Sequence, residues 1–224
     1  MKNQLHFLVA CCLALGATSC EEPEGLTTPN TVEAVGVANI SENAARKIFA
    51  LDADRSVVEW WGHSPNATHH GSFAVTSENI EVVNGKVKQG SFSIPIASIQ
   101  NFDLPDNVKP VLLDHLKSPD FFNMALYPEA SFEFRKMTPL TKAVTGAVAG
   151  ANYMVSGDFT MLGKTVAISF PALVRERNGQ LSIDAKLKID RTRWGMNYNA
   201  DPSYGDHQIY PEVDLHLKLS GFEQ

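Results

Sequence analysis

The chain has 224 residues, a formal net charge of −6, 44% hydrophobic residues and 20% charged ones. That composition belongs to a globular protein of one domain or two small ones. It shows no block of like charges and no basic stripe, so a nucleic-acid partner, which needs a cationic surface, is set aside.

Residues 1–19 read as a targeting segment: Lys2 gives the positive start, residues 7–15 the apolar run, and Ala17-Thr18-Ser19 the small residues ahead of Cys20. The run is too short to span a bilayer, and no later stretch reaches the roughly 20 apolar residues a span requires. A small residue followed by Cys20 resembles a bacterial lipobox, with Thr18-Ser19 where Ala or Gly is usual. The resemblance implies cleavage before Cys20, acylation of Cys20, and a lipid anchor in the bacterial cell envelope on the periplasmic or surface face of an outer membrane. An ordinary secretory leader with an incidental Cys is the alternative. Cys11 and Cys12 leave with the leader, so Cys20 has no partner thiol, which favours the anchor. Residues 20–45, rich in Glu, Pro, Thr and Gly, read as a flexible tether. Ser41 suits the cap of one helical turn over residues 41–47.

A barrel-like domain is expected over residues 46–224, where in–out alternation is persistent. Strands are predicted at 48–52, at 57–61 with Val58 and Trp60 on one face, and at 71–75 around Phe73. Asn84-Gly85 is a hairpin signal, and 86–89 leads into 91–96, where Phe92, Ile94 and Ile96 share a face. Pro95 lacks an N–H and suggests a ladder end or edge. Residues 110–118 carry Val111, Leu112, Leu113 and Leu116 at a spacing that suits about two helical turns. Ser118-Pro119 ends them. Phe132 and Phe134 then point one way and Ser131, Glu133 and Arg135 the other. Residues 153–161 alternate around Val155 and Phe159. Leu162-Gly163 turns the chain into Val166 and Ile168, and Asn178-Gly179 makes another hairpin. The two cleanest strands follow, Leu181 to Ile189 and Val213 to Leu219.

His115-Leu116-Lys117-Ser118-Pro119-Asp120-Phe121-Phe122, followed by Tyr127-Pro128-Glu129-Ala130-Ser131-Phe132, resembles the central motif of the YceI-like family, lipocalin-like barrels that bind polyisoprenoid or other long-chain lipids. Asp190-Arg191-Thr192-Arg193-Trp194-Gly195 resembles that family's strand-ending signature. The residues at 52–56 depart from its usual opening with a His. Periodicity alone allows an antiparallel sandwich or a barrel. The resemblance implies the barrel: all-β, eight-stranded, antiparallel and lipocalin-like, with one short helix at 110–118.

Chemistry-bearing spacings are sparse. His69 and His70, on a strand, fall on opposite faces, and no His-Glu-x-x-His or Cys-x-x-Cys spacing occurs, so no metal is expected. No Gly-x-Ser-x-Gly elbow is present, so no enzyme is expected. Arg191 suits an outward or rim ion pair, with a lipid headgroup or buried carboxylate as its alternative.

Alternation and the resemblance together imply binding, storage or transfer of a long-chain apolar lipid, with no cofactor. The expected wall comprises Trp60, Phe73, Phe92, Ile94, Phe132, Phe134, Phe159, Ile168, Leu215 and Leu217, with Phe121, Phe122 and Trp194 near a mouth. The rival is an envelope interaction protein with a side-chain-filled barrel, whose loops 101–109 and 197–210 meet a partner.

Overall fold

The computed structural model describes residues 46–77 and 79–224. The expected leader, the acylated Cys20, the tether and most of the turn capped by Ser41 lie outside the described residues. Its last two residues, Arg46 and Lys47, are strand instead of helix. Lys47 reaches Glu176 at 2.8 Å and Glu223 at 3.2 Å, which holds it against the strands beside it.

Twelve strands form one antiparallel sheet among the described residues. Eight of them close a ring: β2 (Val57–His63), β3 (Thr68–Ala74), β6 (Ser91–Pro95), β8 (Glu129–Pro139), β9 (Tyr153–Met161), β10 (Lys164–Arg177), β11 (Gln180–Asp190) and β12 (Glu212–Glu223). The strand expected at 48–52 and the run at 86–89 lie outside this ring, to which four short strands are added. Between β3 and β6 closure is nearly lost. Among the described residues only Thr76 and Ser93 exchange backbone bonds there, at 3.0 and 2.8 Å.

The added strands sit at the two ends. β1 (Arg46–Leu51), β4 (Ile80–Val83) and β5 (Lys86–Gln89) continue the sheet from the C-terminal end of β12 as a flap. Phe49, Ile80 and Val82 on it are fully buried. β7 (Gln100–Asn101) pairs with Gly71 and Ser72 of β3. α1 (Lys109–Lys117) has no buried residue and no side-chain N-cap, and Leu112, Leu113 and Leu116 alone pack it onto the core. No helix among the described residues is long and apolar enough to cross a membrane.

The turns follow sequence chemistry. Asn84-Gly85, Leu162-Gly163 and Asn178-Gly179 all have positive φ at both positions, as two-residue hairpins whose twist matches the strands demand. Pro95 ends β6, where its missing N–H is not needed.

Candidate functional site

The barrel interior has two unlike halves. A cavity of about 380 Å³, open at one end, occupies the half near α1. Its wall is built by alternation: Val58, Trp60 and Gly62 from β2, Phe73 from β3, Ile94 from β6, Ala130 from β8, Phe159 and Met161 from β9, and Val213 and Leu215 from β12. Leu112 and Leu116, four apart on α1 and so on one face, close it from the side, with Phe121 and Phe122 beyond them. The other half is filled. Phe132 stands 5.4 Å from Phe92, 5.2 Å from Phe134 and 5.6 Å from Phe170 between ring centroids. A Cβ at Gly157 would strike the Phe132 ring and the Glu133 carbonyl, so the ring lies where a side chain would otherwise stand. A void of about 20 Å³ lies among Phe92, Phe132, Ile168, Phe170 and Leu217 there.

Of the expected wall, Trp60, Phe73, Ile94, Phe121, Phe122, Phe159 and Leu215 border the cavity. Phe92, Phe132, Ile168 and Leu217 border only the void. Phe134 and Trp194 border neither. Phe134 is an inward residue of the filled half. Trp194, expected near a mouth, stands behind Phe159, with ring centroids 5.3 Å apart and Nε1 donating to the Phe159 carbonyl at 2.9 Å. The elongated interior wall of the expectation is thus shortened to one half of the barrel. The reason is side-chain volume, since four phenylalanines fill the other half.

The mouth is polar. His63, His69, His115 and His207 border it, and three of them meet a carboxylate. His63 Nε2 lies 2.8 Å from Asp214 and its Nδ1 3.0 Å from Thr68 Oγ1. His115 Nε2 lies 3.0 Å from Asp120, its ring edge-on between Phe121 and Tyr198. His69 Nδ1 donates to Asp103 at 2.7 Å. His70 reaches the same carboxylate through its backbone N–H at 2.8 Å, with its ring 3.6 Å away. Strand parity was expected to separate His69 from His70. The single carboxylate brings them together because it sits off the strand, in the loop after β7. Burial raises the Asp103 carboxyl, but hydrogen bonds from His69, the His70 N–H and Asn101 outweigh it and hold Asp103 at about 2. Among the described residues, no group of three or more His, Cys, Asp or Glu is arranged to hold a metal ion.

Arg191 overturns its expected rim ion pair. It is 2% exposed, borders the cavity, and gives its N–H groups to backbone carbonyls and not to a carboxylate. Nη1 donates to Met196 O at 2.6 Å, Nη2 to Tyr198 O and Ile209 O at 2.8 Å each, and Nε to Tyr210 O at 3.3 Å. Phe121 lies against it at 5.8 Å. Burial pushes the guanidinium down from its usual value, opposed by the charge of Asp190, and Arg191 remains cationic. Arg191 is the first residue after β11, and its planar fork ties together the two ends of the loop between β11 and β12, which supplies Gln208, Ile209 and Tyr210 to the mouth. Sequence reading missed this role because the four carbonyls come from a loop without regular pattern. The contributions of Leu112 and Leu116 were legible in their spacing.

The arrangement can hold an apolar chain behind a polar, histidine-rich rim. A comparison with curated proteins returned no significant match. Among solved structures the chain is similar to BcnA of Burkholderia cenocepacia, with 22% identity, TM-score 0.59, and 76% of this chain and 98% of that one covered. It is also similar to a polyisoprenoid binding domain from Saccharophagus degradans implicated in plant cell wall breakdown, with 15% identity, TM-score 0.58, and 80% and 99% covered. A cysteine variant of the Campylobacter jejuni YceI protein shares 17% identity at TM-score 0.52, with 69% and 84% covered. These likenesses establish the fold. The YceI-like domain matches residues 49–220, which take in the ring strands except the last three residues of β12 and the whole wall of the cavity, and the chain therefore belongs to the YceI-like family.

Proposed function

We propose that this protein binds a long-chain apolar lipid in the cavity beside α1 and stores or hands it on without a chemical step. The observation that carries the reading is the cavity itself: about 380 Å³, open at one end, with a wall of aliphatic and aromatic side chains. That volume falls within the roughly 300–1,000 Å³ common for ligand sites. Each methylene removed from water contributes about 0.8 kcal/mol, so about ten would outweigh an ordering cost of several kcal/mol. The polyisoprenoid binding of the Saccharophagus degradans relative supports the class of ligand. We further propose that acylated Cys20 anchors the protein in the bacterial envelope.

The test is mass spectrometry of an organic extract of the full-length protein purified from its own host. A stoichiometric single-chain lipid is expected. The lipid reading fails if none is found and the protein takes up no labelled isoprenoid or fatty chain. Cys20→Ala is expected to lose diacylglycerol labelling and leave the membrane fraction. A wild type that is soluble with a free Cys20 thiol would sink the anchor.

A further inference from the structure

The connections of the barrel fall at two ends. At the mouth lie the β2–β3 turn, residues 96–128 between β6 and β8, the β9–β10 turn and the loop between β11 and β12. The flap, the β8–β9 loop and the β10–β11 turn lie at the other end. Of the eight large hydrophobic residues left exposed among the described residues, six belong to the mouth end: Phe102, Val108, Val111, Leu126, Tyr204 and Tyr210. Val144 and Phe222 are the two at the other end. Single exposed apolar side chains are ordinary, but six around one opening mark a contact face. Val111 and Leu126 are 70% and 69% exposed, and neither borders the cavity, so a guest inside the barrel does not cover them. Val108 and Val111, three apart, share one face at the start of α1.

Charge and chain length say what covers this face. Residues 96–128 carry Asp103, Asp106, Asp114 and Asp120 against Lys109 and Lys117, and the β11–β12 loop sets Asp201 and Asp206 against Arg193. Such a face has no cationic excess with which to hold anionic headgroups. Its exposed tyrosines and aliphatic residues suit the polar–apolar boundary of a neutral bilayer. Arg46 enters the sheet on the flap, beside the end of β12 where Phe49 faces Glu223, and so at the end away from the mouth. β12 is 12 residues long, about 40 Å from end to end. The 26 residues from Cys20 to Ala45 reach about 85 Å when extended. That length lets the mouth turn toward the membrane that holds Cys20.

Resting on the lipid reading and the Cys20 anchor above, we propose that the mouth end docks on the surface of a bilayer with zwitterionic headgroups, with Val111 and Leu126 entering it. The guest passes between membrane and cavity in the docked state, without crossing water. The anchor at one end of the barrel and the apolar rim at the other then act on the same membrane.

The experiment uses the protein as its own host processes it, added to phosphatidylcholine vesicles whose acyl chains carry a nitroxide quencher. A bimane label at Val111→Cys or Leu126→Cys is expected to lose about half its fluorescence or more, and one at Val144→Cys less than about a tenth. Equal quenching at the two ends, or none at either, overturns the docking face. Quenching that disappears in about 0.5 M salt overturns the apolar contact, because only charge attraction is screened. Self-association that Val111→Asp abolishes, with no quenching by vesicles, assigns the face to a second copy and overturns the membrane. In a second measurement, Val111→Asp combined with Leu126→Asp is expected to slow uptake of a pyrene-labelled fatty chain from vesicles about ten-fold or more, and to leave uptake from cyclodextrin within about two-fold. No slowing from vesicles, or equal slowing from both donors, overturns transfer in the docked state. Failure of the wild type to take up the chain from cyclodextrin overturns the lipid reading itself, and the quenching then decides the docking face alone.

Discussion

The two halves of the barrel obey the same alternation code and end in opposite states. Near the flap, Phe92, Phe132, Phe134 and Phe170 interlock at 5.2–5.6 Å over Gly157, beside a void of about 20 Å³. Near α1 the inward strand positions set Gly62 and Ala130 among Val58, Trp60, Phe73, Phe159 and Leu215, and about 380 Å³ stays open. Period-two patterning says which side chains point inward and nothing about whether they meet. Summed side-chain volume decides that, since filled interiors reach crystal-like density. The filled half is therefore the source of stability and the open half the place for a guest.

The largest effect that tests this division is Phe132→Ala, expected to cost about 3–5 kcal/mol in denaturant unfolding. Leu215→Ala, on the open side, is expected to cost less than half as much. Equal costs would erase the distinction. Arg191→Met removes the fork that holds the mouth loop and is expected to cost about 3 kcal/mol, with faster amide exchange at residues 196–210. Arg191→Lys recovers little, because an ammonium cannot present the same planar set of donors. Ile94 borders both the cavity and the void. Ile94→Trp is expected to cost about 1–3 kcal/mol by overpacking and to cut lipid uptake at least ten-fold. Unchanged uptake would place the site elsewhere.

The smallest effect is at Asp103, held at about 2 against an ordinary 3.8. A depressed carboxyl favours the folded state when ionised, so its contribution is complete above about pH 4 and lost as pH falls toward 2. Asp103→Asn is expected to cost about 1 kcal/mol at pH 7 after solvent screening. Thermal midpoints of variant and wild type should converge as pH falls from 4 to 2.

Strand existence was legible wherever one face meets water and the other meets the core, as in β11 and β12, and α1 lies within one residue of its expected bounds. The Asn-Gly turns were legible because only residues tolerant of positive φ fit them. β4 and β7 are four and two residues long, too short to establish a period. Trp194 was misplaced because its indole is fixed by a carbonyl 35 residues away in sequence, a contact no local pattern encodes. The fate of Arg191 is equally non-local.

The gap between β3 and β6 has a consequence for how the protein behaves at high concentration. Two neighbouring strands that barely pair expose edges onto which a foreign strand could add. Here serine hydroxyls occupy those groups: Ser98 Oγ accepts from Ala74 N at 3.0 Å and donates to Pro95 O at 2.6 Å, and Ser77 Oγ donates to Ser91 O. Pro95 offers no N–H at all. A few hydroxyl groups and one imino acid thus occupy or remove backbone groups along the discontinuity in the ring, and leave a foreign strand fewer places to add there.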